Sequence, residues 1–257
     1  MITAGIDIGS TTAKGALLQD GKIESVKVLP TGYDPGAAAR KVFDLLLEEV
    51  GIRPGDVPGI ISTGYGRKNV DFAVRSVTEI SCHAAGACFM NPGVATVVDI
   101  GGQDSKVIVL DKKGRVIDFA MNDKCAAGTG RFLDVMASAL EIDLARLGEF
   151  SGRADTVAAI SSVCTVFAES EVISLISKGE KRENIIAGIH ASIGSRIVSM
   201  VKRVKGGPPY IMTGGVALNQ GVVRVLEERL GNAVAVPRTA QVNGAVGAAL
   251  IAARRDN

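Results

Sequence analysis

The chain has 257 residues, of which 47% are hydrophobic, enough for one large domain or two small ones with a sizeable core. Its 29 basic and 27 acidic residues give a net charge of +2, which excludes the strongly basic surface of a nucleic-acid-binding protein. No apolar run approaches the roughly 20 residues that a membrane-spanning helix needs, and the start lacks the pattern of a signal peptide. We therefore expect a cytoplasmic protein that binds neither nucleic acid nor membranes. In that compartment the four cysteines indicate buried thiols, metal ligands or redox chemistry rather than disulfides.

The first 92 residues alternate short apolar runs with helical periodicity. Strands are predicted at 4–8, 15–18, 23–29 and 59–62, and helices at 35–50 and 79–90. Gly51 ends the first helix, and Asn91-Pro92-Gly93 marks a break. A turn with the sequence Thr-Gly-Tyr-Gly-Arg occupies 63–67.

The remaining residues repeat the pattern and add helices. Strands are predicted at 94–100, 107–110 and 210–212, and helices at 131–140, 168–177, 183–204, 220–230 and 244–254. No low-complexity linker separates the halves. The sequence therefore predicts two closely packed domains, 1–92 and 93–257, with a cleft between them.

A short phrase occurs twice. Residues 7–14 read DIGSTTAK and residues 99–106 read DIGGQDSK, each between two predicted strands. This predicts a strand–turn–strand unit used twice. A carboxylate at a strand end followed by small residues exposes backbone N–H groups and hydroxyls, which suits a polyphosphate and its divalent metal. Two such loops facing each other would grip one nucleotide.

A third glycine-rich turn, Met-Thr-Gly-Gly-Val-Ala at 212–217, joins a strand to a helix. Each glycine pair alone is more often an ordinary tight turn between elements than a ligand-binding loop. The order D-I-G-S-T, D-I-G-G-Q-D, T-G-G-V, however, resembles the actin, Hsp70 and sugar kinase superfamily. That resemblance implies an α/β fold of two duplicated actin-like (ribonuclease H-like) βββαβα halves that close on ATP.

The resemblance also implies roles for residues in all three loops. Residues that cradle the phosphates would be Gly9, Ser10, Thr11, Thr12, Ala13, Lys14, Gly101, Gly102 and Lys106. The residues that hold Mg²⁺ through water and take part in catalysis would be Asp7, Asp99, Gln103 and Asp104. The adenosine would be lined by Gly214, Gly215 and Asn219, and its base reached by Gln241. For Lys14 and Lys106, a solvated charge at a strand end is an equal alternative.

Two cysteines each stand a few residues before a predicted helix. Cys125 lies in NDKCAAGTG and Cys164 in SSVCTVFAES. The positive end of a helix dipole favours thiolate over thiol and stabilises an anionic cluster attached to it. From spacing alone a buried core thiol is favoured for both, since no C-x-x-C occurs. Cys82 and Cys88, on different sides of one predicted helix, are expected to pack in the core, and His83 and His190 to be structural.

The sequence around the cysteines reverses this interpretation. The segments NDKCAAGTGRFLD and SSVCTVFAESEV resemble the cluster-bearing segments of activator components of 2-hydroxyacyl-CoA dehydratases, in the BadF/BadG/BcrA/BcrD ATPase family. The resemblance extends to the segments TGYGR, SCHAAGA, IIAGIH and NGAVGAAL, and so covers nearly the whole chain. One departure is Leu218, which stands where a glutamine is common, so no side-chain contact to adenine is expected from that position.

This resemblance implies an ATP-driven electron donor. A [4Fe–4S] cluster would be shared by a homodimer through Cys125 and Cys164 of each chain, because such a cluster commonly takes four cysteine ligands. A flavodoxin or ferredoxin would reduce the cluster, and ATP turnover would drive one electron to the dehydratase component. The stretch 128–130 before the next helix would serve as a hinge.

Two alternatives remain open at this stage. The chain could be the ATPase subunit or activator of a benzoyl-CoA reductase-like or double-cubane reductase. It could also be a small-molecule kinase of the same superfamily, in which the cysteines are core residues. A kinase needs a catalytic base beside an acceptor pocket, and the sequence offers only the aspartates of the metal site.

Overall fold

The computed structural model describes residues 1–161 and 164–254 and contains two five-stranded mixed sheets. The first sheet has the strand order β3-β2-β1-β4-β5. Its strands are β1 (Ile2–Ile8), β2 (Thr12–Gln19), β3 (Lys22–Pro30), β4 (Gly59–Thr63) and β5 (Arg75–Ser76). We call the part of the chain built on this sheet the first lobe.

The second sheet repeats the first. Its strands are β6 (Thr96–Ile100), β7 (Ser105–Leu110), β8 (Val116–Asn122), β9 (Tyr210–Thr213) and β10 (Val234–Ala235), in the order β10-β9-β6-β7-β8. In both sheets the first three strands pair antiparallel and the fourth joins the first in parallel. The duplicated α/β fold predicted from the sequence is confirmed, and the part built on the second sheet is the second lobe.

Eight helices occur in the described residues. They are α1 (Pro35–Val50), α2 (Glu79–Met90), α3 (Gly130–Ala139), α4 (Leu147–Ser151), α5 (Thr165–Ser177), α6 (Arg182–Arg203), α7 (Gln220–Leu230) and α8 (Asn243–Ala253). The bounds of α1 show how local sequence sets them. The carboxylate of Asp34 accepts hydrogen bonds from two backbone amides of the first turn, Pro35 opens the helix, and Gly51 ends it at φ 73°.

The longest helix, α6, lies in the core of the second lobe. Its residues Ile185, Ile189, Ile193 and Ile197 form a buried stripe at a spacing of four. Within the described residues, α6 is long and apolar enough to cross a membrane, but 72% of its apolar window is buried inside the fold. The apolar stripe is therefore accounted for by packing within the lobe.

Two helices pack across the lobes. Helix α8 returns to the first sheet, where Ala245 and Ala249 join a buried cluster with Leu18 of β2. Helix α2 packs on the second sheet, where Ala87 meets Ile108 of β7. The division at residue 92 stays a prediction, since one helix on each side of it packs on the sheet of the other half.

Candidate functional site

The hairpin register explains why Asp and Lys recur at the same spacing in both phrases. Asp7 of β1 pairs with Lys14 of β2, and Asp99 of β6 pairs with Lys106 of β7. Side chains of directly opposed residues lie on the same face of a sheet. Each hairpin therefore brings one carboxylate and one ammonium group to its turn, and the two turns face each other.

A cavity of about 800 Å³ lies between the lobes, within the usual size range of a ligand site. All but one of the sequence-predicted nucleotide residues line it: Asp7, Gly9, Ser10, Thr11, Thr12, Lys14, Asp99, Gly101, Gly102, Gln103, Asp104, Lys106, Gly214, Gly215, Asn219 and Gln241. The exception is Ala13, whose side chain is buried in the core of the first lobe.

Lys106 is neither solvated nor free to reach a phosphate. Its side chain is 2% exposed, and its Nζ lies 2.7 Å from Asp104, 3.2 Å from Glu79 and 3.5 Å from Asp99. Burial lowers the pKa of Lys106, but the three carboxylates outweigh burial and raise it above its usual value. The solvated-charge alternative is wrong for Lys106, which acts as an internal counter-ion.

Asp99 is held by partners from three elements. Thr213 Oγ1 donates a 2.7 Å hydrogen bond to Oδ1 of Asp99, and Nδ1 of His83 lies 3.2 Å from the same oxygen. Burial raises the pKa of Asp99, but His83, Lys106 and Thr213 together hold it well below its usual value. The carboxylate stays ionised, as a metal-binding or water-orienting group must.

The sequence interpretation missed Glu79 and treated His83 as a helix residue without a site role. Both line the cavity, and their spacing of four places them on one face of α2. Asn243 of α8 fixes the imidazole, since its Nδ2 lies 3.1 Å from both Nδ1 and the carbonyl oxygen of His83. The i, i+4 pairing of Glu and His was the available signal.

The first lobe supplies a looser ion pair. Nζ of Lys14 lies 3.3 Å from Oδ2 of Asp7, and the lysine side chain is partly exposed at 14%. Lys14 is therefore neutralised less completely than Lys106. Its ammonium group faces the same cavity as the hydroxyls of Ser10 and Thr11.

The predicted adenosine side is built on a tight turn. Gly214 has φ 86°, and a β-carbon there would collide with the carbonyl oxygen of Ile100. The carboxamide of Asn219 is engaged within the protein, because it caps α7 and contacts Nε2 of His190. Burial lowers the pKa of His190 to about 4, with a further contribution from Arg224, so this imidazole is neutral at pH 7. Leu218 lines the cavity with its side chain exposed.

The loop after β6 contacts both the loop after β1 and the start of α3. A β-carbon at Gly102 would collide with Oγ1 of Thr11, so the loops of the two lobes touch at this point. The amide of Gly130 donates to the carbonyl oxygen of Gly101 at 2.9 Å, and that of Arg131 donates to Gly102 at 2.7 Å. The first turn of α3 is therefore hydrogen-bonded to the second phosphate loop.

The two predicted cluster ligands lie outside the cavity lining. Cys125 is partly buried against the core of the second lobe, and Cys164 is exposed as the residue that precedes α5. Cys82 is buried in a small apolar cluster, and burial raises the pKa of its thiol to about 12. Cys88 packs against another buried cluster near the carbonyl oxygen of Gly114. The expectation that these two thiols pack in the core is confirmed.

The donor set suits Mg²⁺ held partly through water. Asp7, Asp99 and Asp104 offer carboxylate oxygens, the ligands that Mg²⁺ prefers. Across residues 1–161 and 164–254, no three His, Cys, Asp or Glu side chains converge to form a complete metal site. Mg²⁺ usually keeps several waters and takes one or two carboxylates plus substrate phosphates, which this arrangement permits.

Comparison with known proteins shows the family of this chain. The model of the BadF/BadG/BcrA/BcrD ATPase family matches residues 4–252. The chain belongs to that family. It is 46% identical over 253 residues to the 2-hydroxyisocaproyl-CoA dehydratase activator of Clostridioides difficile, covering 98% of this chain and 95% of the relative. It is 48% identical over 255 residues to the (R)-2-hydroxyglutaryl-CoA dehydratase activating ATPase of Acidaminococcus fermentans, covering 98% and 97%.

One solved structure is similar to this chain in both fold and sequence. The activator of the 2-hydroxyisocaproyl-CoA dehydratase from Clostridium difficile, with bound ADPNP, superposes with a TM-score of 0.93 at 46% identity, covering 98% of this chain and 94% of that one.

More distant relatives bear on the alternatives. One of the polypeptides of the benzoyl-CoA reductase of Thauera aromatica is 34% identical over 235 residues, covering 89% of this chain and 83% of the relative. A ROK family glucokinase from Streptomyces griseus, covering 98% of this chain and 99% of that one, has a TM-score of 0.61 at 14% identity and shows the fold alone.

Proposed function

We propose that this protein is an ATP-hydrolysing activator that passes one electron at a time to a 2-hydroxyacyl-CoA dehydratase. ATP and Mg²⁺ bind in the interlobe cleft. A [4Fe–4S] cluster, held by Cys125 and Cys164 of each of two chains, carries the electron, which a flavodoxin or ferredoxin supplies. The family and its dehydratase-activating relatives support this assignment.

The observation that carries the proposal is the direct backbone link between the nucleotide loop and α3. Gly101 and Gly102 accept hydrogen bonds from the first turn of α3, the helix that begins five residues after Cys125. A shift of the phosphate loop on nucleotide binding would therefore move the start of α3. ATP can change the state of the cluster only through such a differential contact.

The segment between Cys125 and α3 suits a hinge. Gly128 has φ 83°, a conformation that other residues rarely adopt. Asn122 Nδ2 donates to the carbonyl oxygen of Cys125 at 2.9 Å and anchors the other side of the loop to β8. Movement would thus be confined to a few residues between the cysteine and the helix.

The residues around the two cysteines fit a cluster shared by two chains. One chain brings two of the four thiolates that such a cluster needs. Cys164 is exposed, and the helix that follows it exposes Val166, Phe167, Ile173 and Ile176. An exposed apolar helix face beside an accessible ligand suits contact with a second copy, in which the same surfaces meet on a two-fold axis. When bound, the cluster would supply one-electron chemistry.

Within the cleft, residues of this chain would position the nucleotide and water. Backbone amides of the two hairpin turns face the phosphates, and Lys14 offsets their charge. Asp7 and Asp99, which line the cavity, would hold Mg²⁺ through water, and Gln103 on the second loop would orient the attacking water. Closing the lobes would exclude other water from the site.

The test is activation of a dehydratase under strict exclusion of air. The protein is mixed with dithionite and the dehydratase component of (R)-2-hydroxyglutaryl-CoA dehydratase or 2-hydroxyisocaproyl-CoA dehydratase, and product is measured with ATP, ADPNP or no nucleotide. The proposal predicts activity only with ATP, and its loss in Cys125→Ser and Cys164→Ser variants that still hydrolyse ATP. Activation that persists in either variant would rule out the electron-carrying cluster.

A second candidate, the ATPase component of a benzoyl-CoA reductase-like complex, rests on the 34% identity to the Thauera aromatica benzoyl-CoA reductase polypeptide. It uses the same cleft and cluster with a different acceptor. Copurification of a reductase instead of a dehydratase from the native organism would favour this candidate.

A further inference from the structure

The Thr-Gly-Tyr-Gly-Arg turn at 63–67 follows β4 in the same way that the predicted adenosine turn, Thr-Gly-Gly-Val at 213–216, follows β9. Thr63 of β4 pairs with Asp7, just as Thr213 of β9 pairs with Asp99. The glycine that follows each threonine has φ 86°. The two lobes thus present one such turn each, on opposite sides of a cleft that would hold one asymmetric nucleotide.

The turn in the first lobe lies directly against the first phosphate loop. A β-carbon at Gly64 would collide with Oδ1 of Asp7, and the amide of Gly66 donates a 2.8 Å hydrogen bond to the carbonyl oxygen of Ile8. The turn leads directly to Arg67, which lines the cavity. Arg67 therefore stands at the phosphate and metal end of the cleft.

Carboxylates outnumber cations in the cavity lining, and Arg67 is the cation whose donors are least engaged. Among the described residues that line it, seven carboxylates face three Lys or Arg side chains, namely Lys14, Arg67 and Lys106. Lys106 is occupied by three carboxylates, and Lys14 is paired with Asp7. The guanidinium of Arg67 makes one hydrogen bond within the described chain, from Nη1 to the carbonyl oxygen of Gly64 at 2.9 Å. Its remaining N–H donors have no partner among residues 1–161 and 164–254.

We infer that Arg67 is a catalytic residue that donates hydrogen bonds to the terminal phosphate of the bound nucleoside triphosphate, an inference that rests on the proposed ATP hydrolysis. In that reaction a water oxygen bonds to the terminal phosphorus while the bond from this phosphorus to the bridging oxygen breaks. The products are ADP, inorganic phosphate and one proton, which passes to solvent. Arg67 stabilises the negative charge that spreads over the terminal oxygens in the transition state.

The experiment compares Arg67→Ala with Lys68→Ala, an adjacent exposed cation outside the cavity lining. Steady-state kinetics give kcat and KM for ATP, and calorimetry gives the affinities for ADPNP and ADP. We expect Arg67→Ala to lower kcat at least about 100-fold and to lose the preference for ADPNP over ADP, while ADP affinity and melting temperature stay at wild-type values. Added guanidinium ion should restore part of kcat, and Lys68→Ala should match the wild type.

Arg67→Ala could also lower kcat by loosening the turn, since it removes the hydrogen bond to the carbonyl oxygen of Gly64. Arg67→Gln controls for this effect, because glutamine keeps an N–H donor for that carbonyl. The inference predicts that Arg67→Gln loses kcat as severely as Arg67→Ala. If either variant keeps kcat within roughly threefold of wild type and retains the preference for ADPNP, the role of Arg67 is overturned. If the wild-type protein does not hydrolyse ATP at all, the proposed function falls together with this inference.

Discussion

Lys106 shows how the cleft balances its charges at the scale of single residues. Its three carboxylate partners come from β6, from the loop before β7 and from α2. An ammonium group this deeply buried is tolerated because several opposite charges compensate for the lost hydration. The same pairing holds the three carboxylates close together at the edge of the interlobe cavity.

Removing that cation should destabilise the fold. Lys106→Met keeps most of the side-chain volume but leaves three carboxylates facing one another without a counter-ion, so we expect a loss of about 3–5 kcal/mol in the free energy of unfolding. Urea denaturation measures this loss. Lys112→Met, at an exposed position, should change stability little. Equal stabilities of the two variants would show that Lys106 is not the counter-ion described.

The buried His190 predicts a dependence of stability on pH. Its pKa is about 4 in the folded chain against 6.5 for the unperturbed group, since burial disfavours the charged form. Between these values the unfolded chain binds a proton that the folded chain does not, so stability falls as pH falls from 6.5 to about 4, by up to about 3 kcal/mol. A His190→Gln variant should lack this component in urea denaturation curves measured across the range. If the free energies of unfolding of the wild type and His190→Gln changed with pH in the same way, His190 would not be the source of the pH dependence.

The sequence indicated the loop residues of the cleft but not the residues that arrive from α2. Asp7 and Asp99 stand in repeated phrases, and chain order alone places both at strand ends. The i, i+4 spacing of Glu79 and His83 shows only that they share a face of α2; that this face lines the cavity depends on the packing of α2 on the second sheet, which no local pattern reveals. The role of Lys106 also depends on that docking, since one of its three carboxylates belongs to α2.

At the scale of elements, the crossing of α2 and α8 depends on glycine. A β-carbon at Gly247 would collide with the carbonyl oxygen of Cys82, and one at Gly86 would collide with that of Asn243. The two helix backbones therefore approach each other without intervening side chains. This close contact places His83 next to Asn243 and Asp99.

Gly247→Ala should separate these helices. Because the obstructing atoms are backbone, the helices must shift, and we expect a loss of at least about 1–3 kcal/mol in the free energy of unfolding. Gly55→Ala, where a β-carbon meets nothing within 4 Å, is the matched control and should be close to neutral. Thermal or urea denaturation measures the stability of both variants. A Gly247→Ala variant as stable as Gly55→Ala would contradict the close approach of the two helix backbones.

The hydrogen bonds at the start of α3 allow a separate test of coupling. Proline is favoured at the first helical position, so Gly130→Pro should keep α3 while removing the amide that donates to Gly101. Gly130→Ala adds a similar crowding β-carbon but retains the N–H group. We expect Gly130→Pro to hydrolyse ATP yet fail to activate the dehydratase, and Gly130→Ala to activate it. Full activation by Gly130→Pro would remove α3 from the coupling path.

Most central strands and most helices were predictable from their apolar runs and caps. The sequence analysis did not identify β8, β5, β10 or α4. Strand β8 is an edge strand whose first four residues are exposed, so it lacks the buried run that marks β6 and β7. Strands β5 and β10 have two residues each and are defined by their pairing with β4 and β9. Helix α5 begins three residues before its predicted start, directly after Cys164.

At the scale of the whole molecule, the duplication creates a cleft with equivalent walls that perform different tasks. Each lobe contributes a hairpin with an Asp–Lys pair and a parallel strand that ends at a threonine and is followed by a glycine. The second lobe alone adds α3 to α7, including both helices that follow the predicted cluster cysteines. The lining of the cavity is thus shared between the lobes, whereas the proposed redox centre belongs to one.

Sharing a cluster between two chains is the central claim, and counting iron tests it most directly. Protein purified and reconstituted without air should contain about four iron and four sulfide per two chains, with a mass by light scattering equal to a dimer. Cys164→Ser should lose the iron, and Cys88→Ser, at a packed position, should keep it. A wild-type protein without iron after reconstitution, or a Cys164→Ser variant with its full complement, would contradict the claim.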